Sequence, residues 1–136
     1  MTVLILSNLE DVHAHAVMGA LAAWGARAEL VDLSEFPTQL ALSLAFESGQ
    51  RRFRLRRRGG GALDLDSIDA VWWRRPQPFR PPEGMDQASR QLAFSESNTA
   101  FQGLYHALGA FWINDPARDT MFAGINLGRR HRGDPT

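Results

Sequence analysis

The chain has 136 residues, 44% hydrophobic and 22% charged, a balance that suits one domain with one core and excludes a disordered chain. Its fifteen positive residues, all arginine, cancel fifteen acids, so no global field draws the protein to nucleic acid or to a membrane. Without cysteine or lysine there is no disulfide framework, no thiolate metal site and no lysine to grip phosphate, which argues against an autonomous NTPase.

The chain opens on a strand. Thr2–Leu6 is a short apolar run of the kind buried on both faces of a parallel sheet. No charged lead or cleavage signal precedes it, and no apolar run reaches the roughly 18 residues of a membrane span, so a cytoplasmic protein is expected. Ser7, Asn8 and Asp11 form a polar turn with candidate N-caps. Residues 12–24 then read as a helix with Val12, Ala16, Val17, Ala20, Leu21 and Trp24 as its apolar stripe and Gly25 as its stop. Residues 28–33 form a second strand, completing a right-handed βαβ unit.

The period then changes to two. Leu40, Leu42, Leu44 and Phe46 alternate with small residues, and after a turn at residues 47–50, Phe53 and Leu55 alternate with Arg52, Arg54 and Arg56. Gly59-Gly60-Gly61 leads to a short strand at residues 62–65, giving an antiparallel meander. Residues 70–75 form another buried strand, in which Trp72 and Trp73 face opposite sides, one beneath each helix. A proline-rich loop follows. Residues 86–108 read as a long helix with a stripe of Leu92, Ala93, Ala100, Leu104, Tyr105 and Leu108, stopped by Gly109, and residues 111–113 as a last short strand. The expected organisation is an α/β domain over residues 1–116, with a divergent C-terminal tail at 117–136.

The order of these pieces resembles the N-terminal, pre-ATP-grasp domain of the MvdD/MvdC-type ATP-grasp ribosomal peptide maturases, also called graspetide or microviridin synthetases. The likeness rests on Thr2-Val3-Leu4-Ile5-Leu6, Asp32 with Phe36-Pro37, Leu63-Asp64-Leu65, Val71-Trp72-Trp73-Arg74-Arg75-Pro76, Ser95-Glu96-Ser97 and Trp112-Ile113-Asn114-Asp115-Pro116. It implies a Rossmann-like, three-layer α/β fold with a parallel sheet and an antiparallel hairpin extension. It also implies membership of a three-part ligase that uses ATP and Mg²⁺. Such a ligase activates an Asp or Glu of a precursor peptide as an acyl phosphate, which a Ser, Thr or Lys side chain attacks to close an ester or amide ring. The stretch at residues 119–132 departs from the family pattern in carrying no lysine. This chain is therefore expected to be a non-catalytic scaffold without a cofactor of its own. Its expected partners are a precursor peptide or an ATP-grasp domain, with a homodimer also open. A fragment of a complete ligase is the alternative, and a small Arg-rich regulatory or nucleic-acid-binding protein is another.

Four arginines stand out as peptide or anion contacts. Arg74 and Arg75 end a buried strand, where open α/β sheets gather ligands and a guanidinium can grip a carboxylate in two parallel hydrogen bonds. An ion pair with Glu96 on the long helix is the structural alternative. Arg54 and Arg56 lie in the run from Arg51 to Arg58, which suits either an acidic peptide or a solvated hairpin face. His13 and His15 are spaced i, i+2, so they point apart on a helix and are not read as metal ligands.

Overall fold

The computed structural model describes residues 1–114; the expected tail at 117–136 and the boundary at 116 lie outside the described residues. Nine principal elements follow in chain order: β1 (Thr2–Leu6), α1 (Val12–Ala23), β2 (Arg27–Val31), β3 (Leu40–Glu47), β4 (Gln50–Arg57), β5 (Ala62–Asp64), β6 (Ala70–Trp73), α2 (Gln87–Ala107) and β7 (Phe111–Ile113). One sheet is fully parallel, in the order β2-β1-β6-β7; the second is antiparallel, in the order β3-β4-β5. This is the α/β architecture with a hairpin extension that the alternation of periods predicts.

The pleat of the parallel sheet divides the interior in two. Val3, Ile5, Leu30 and Ala70 face α1 through Ala14, with Met18, Leu21 and Trp72 packed beside them. Leu4, Leu6, Val31, Val71 and Trp73 face the other way, onto Phe101 and Leu104 of α2 and onto Leu40 and Leu55 of the small sheet. Trp72 and Trp73 thus serve opposite layers, as adjacent strand residues must.

Each helix buries only part of the stripe its sequence suggests: Leu21 of α1 and Leu104, Tyr105 and Leu108 of α2 face inward, and the rest of each inner face differs. In α1 the inward residues are Ala14, Met18 and Leu21, spaced i, i+4, i+7, whereas Val12 and Trp24 are 73% and 88% exposed. The helix is apolar all round, so periodicity alone cannot fix its phase; small Ala14 lies flat against the sheet instead. In α2, Leu92 and Ala100 face solvent, and the inner face runs through Phe94, Ser97, Phe101, Leu104 and Leu108. Ser97 tolerates burial because its hydroxyl donates to the Ala93 carbonyl at 2.7 Å. The helix ends before Gly109, where Leu108 turns extended.

Turn chemistry places the remaining pieces. β2 stops at Val31 because Asp32 caps a one-turn 3-10 helix at Leu33–Glu35, accepting from the Ser34 N–H and hydroxyl. Ser48 and Gly49 both take positive φ in the β3–β4 hairpin, the conformation a tight two-residue turn requires. The proline-rich loop contributes to the core: Phe79 packs against Phe36 and Phe101 with ring centroids 5.8 and 5.0 Å apart. Tyr105 stands edge-on to Trp73 and Trp112, at 5.4 Å from each. Its hydroxyl is buried without a hydrogen-bond partner among the described residues, and burial holds it protonated well above the usual tyrosine range.

Candidate functional site

The chain leaves β1 through α1 to reach β2 on one side and leaves β6 through α2 to reach β7 on the other. The order therefore reverses between β1 and β6, and the crevice outside the carboxyl ends of those strands is the place where open α/β sheets bind ligands. Ser7 and Arg74 stand there.

A compact polar knot closes this position. Ser7 is fully buried, and its hydroxyl donates to Asp11 Oδ2 at 2.6 Å. The other carboxylate oxygen, Oδ1, caps α1 by accepting from the His13 and Ala14 N–H groups at 3.1 and 3.3 Å. From 63 residues further along the chain, Arg74 donates its Nε–H to Asp11 Oδ2 at 3.3 Å, and its guanidinium lies 5.6 Å from the centre of the Trp72 ring. The Ser7 hydrogen bond is the main cause that holds the Asp11 carboxyl down at about 2, against the opposing effect of burial; the helix N–H groups and Arg74 add to it. The backbone completes the seam, with the N–H groups of Arg74 and Arg75 both donating to the Leu6 carbonyl.

The arginines singled out in the sequence fall in two places. Arg74 is paired with Asp11, not with Glu96, which is exposed on α2. The reason is topological: α1 begins beside the end of β6, and its N-cap carboxylate reaches the guanidinium first. Arg75 follows on the exposed side of the same strand end. Arg54 and Arg56 belong to the other sheet, on the face of β4 opposite Phe53 and Leu55, so the four form no single site. Arg54 donates to both oxygens of Glu47, at 3.2 and 3.5 Å. Arg57 is structural: its Nη2 donates to the Leu30 carbonyl at 2.9 Å and ties the small sheet to β2. Between the two lies a cleft of about 170 Å³ lined by Arg27, Glu29, Leu40, Leu55 and Leu63.

The Asp11–Arg74 pair could not be found by reading along the chain, because its two halves are joined only by the strand order. His13 and His15 are both exposed, and His15 Nε2 lies 2.7 Å from the Leu9 carbonyl. Among the described residues, no three His, Asp or Glu side chains gather as metal ligands.

A parallel α/β sheet with a capped switch point and an appended antiparallel sheet defines a Rossmann-like domain. The chain belongs to the family of MvdD pre-ATP-grasp domains, whose model matches residues 2–120. Among solved structures, it is similar to the macrocyclase MdnC of Microcystis aeruginosa MRC, determined with the precursor peptide MdnA, at 26% identity and a TM-score of 0.74 over 97% of this chain and 44% of that one. MdnB of the same organism matches at 22% identity and a TM-score of 0.77, over 96% of this chain and 44% of that one. A RiPP-associated ATP-grasp ligase of Chryseobacterium gregarium, in complex with ADP and a leader and core peptide, matches at 19% identity and 0.76, over 95% and 40%. The last two show the fold alone. The chain spans less than half the length of each of these relatives, and no curated protein matches it in sequence.

Proposed function

We propose that this chain is the N-terminal scaffold of an ATP-grasp ligase system that closes ester or amide rings in a precursor peptide, and that it makes no bonds itself. The observation that carries this reading is the knot at the switch point. A nucleotide there would set its phosphates against the Asp11 carboxylate, which is buried, ionised and already holds Arg74 and the α1 N–H groups. The loop between β1 and α1 has no glycine through which backbone could approach a phosphate. These residues do not fit ATP with Mg²⁺, so the nucleotide and the activated carboxylate belong to an ATP-grasp part that this domain braces.

The surfaces left open support bracing. Val12 on α1, Trp24 at its C-terminal cap and Phe111 on β7 are each more than 70% exposed, and an ATP-grasp domain is the partner we assign to them, with a second copy of this chain as the other occupant. Arg75 at the strand end, and Arg54 and Arg56 on the hairpin, are assigned to peptide contact. Among the described residues no helix is long and apolar enough to cross a membrane, in keeping with a cytoplasmic site of action.

Mass spectrometry of a precursor peptide incubated with Mg-ATP tests the reading. This chain alone is expected to leave the peptide unchanged, and adding an ATP-grasp partner should remove one water per bond formed. Dehydrated peptide in the sample that lacks the partner would overturn it.

A further inference from the structure

Arg52, Arg54 and Arg56 alternate along the central strand of the small sheet, on the face turned away from Phe53 and the buried Leu55. Their neighbours across β3 are Ala45, Ser43 and Ala41, residues too small to screen a guanidinium; across β5, Ala62 stands opposite Arg56 and Asp64 opposite Arg54, with the Asp64 carboxylate accepting from the Asp66 N–H. Of the other arginines of this run, Arg57 holds the Leu30 carbonyl, Arg51 lies over the Phe53 ring on the opposite face, and Arg58 follows the end of the strand. What remains is a row of three guanidinium groups on a shallow floor, with steps of about 6.7 Å between alternate strand residues.

Glu47 shows what the row accepts. Its carboxylate, half exposed, takes both terminal nitrogens of Arg54, whereas Arg52 and Arg56 on either side have no acidic partner among the described residues. An exposed pair of this kind is worth at most about 1 kcal/mol, so an incoming carboxylate can displace it. An extended chain repeats every two residues with the same step as β4, so carboxylates at alternate positions meet successive arginines. Single-stranded nucleic acid fits less well, because its bases need aromatic platforms and Phe46 and Phe53 lie on the far face.

We propose that this face binds an extended acidic peptide carrying a carboxylate at every second residue, with Arg52 and Arg56 as the free anchors and Glu47 as a built-in competitor for Arg54. The inference deepens the peptide-maturation reading and rests on it only for the origin of the peptide.

Fluorescence anisotropy with two labelled heptapeptides of one composition tests it: Ala-Glu-Ala-Glu-Ala-Glu-Ala and Ala-Ala-Glu-Glu-Glu-Ala-Ala, at about 50 mM salt. The alternating peptide should bind about threefold more tightly, and the Arg52→Gln/Arg56→Gln protein should lose about tenfold in affinity for it. Arg90→Gln, on α2, should leave binding unchanged. Glu47→Gln should tighten binding about threefold and decides the matter alone if the double variant does not fold. Equal binding of the two peptides, no response to Glu47→Gln, or tighter binding of an oligothymidylate of equal charge would each overturn the proposal. A row that binds the alternating peptide beside a failed ligase reconstitution would sink the maturation reading and leave this one standing.

Discussion

Asp11 joins three tasks in one side chain: it caps α1, accepts the buried Ser7 hydroxyl and holds Arg74 across the mouth of the parallel sheet. Its carboxyl is depressed from 3.8 to about 2, so the native state favours the ionised form. The stabilisation is fully present above about pH 4 and is lost as pH falls through the folded value near 2. Asn at position 11 keeps the cap oxygen but cannot hold the charge. Asp11→Asn is therefore expected to lower the melting temperature by a few degrees at pH 7 and to flatten the decline in stability between about pH 4 and 2. Thermal unfolding followed by circular dichroism at stepped pH measures both, and parallel acid limbs for the two proteins would refute the assignment.

At the scale of elements, the legible features were those that local chemistry decides alone. Alternation exposed β3 and β4, Asp11 was among the three candidate caps before the first helix, and Gly25, at a φ of 80°, marked its end, whereas the Asp86 cap of the second emerged only in the structure. Helix phase was not legible. α1 carries apolar residues on every side, and the inner face of α2 includes Ser97 and Asn98, so a stripe drawn on hydrophobicity alone mixes two registers. The arginines divided similarly: alternation sorted Arg54 and Arg56 onto one face, but only the strand order revealed that Arg74 meets Asp11. The observed phase of α1 has a direct consequence. Ala14→Leu forces extra volume between the helix and Ile5 and should cost about 1–3 kcal/mol. Trp24→Ser, at an 88% exposed position, should change stability by less than about 0.5 kcal/mol. Urea unfolding compares the two, and a larger loss at Trp24 would restore the stripe that the sequence suggests.

Across the whole molecule, the two sheets have separate backbone ladders and share one apolar layer, in which Leu40 and Leu55 meet Val31 and Trp73. One polar tether crosses between them at β2: the Arg57 guanidinium donating to the Leu30 carbonyl at 2.9 Å. β2 is the edge of the parallel sheet, so this contact caps a strand edge as well as fastening the hairpin that carries the Arg52–Arg56 row. Arg57→Leu keeps much of the aliphatic stem while removing the donor, and an unpaired carbonyl in this partly buried setting costs about 1–3 kcal/mol. Because the parallel sheet keeps its own ladder, the loss should fall unevenly. Amide exchange in β3–β5 should quicken about tenfold or more while β1 and β6 keep their protection. Hydrogen–deuterium exchange resolves the two sheets separately. Uniform acceleration would mean that they unfold as one unit, and a hairpin that loosens by itself would mean that the arginine row rides on a part of the fold whose stability Arg57 sets.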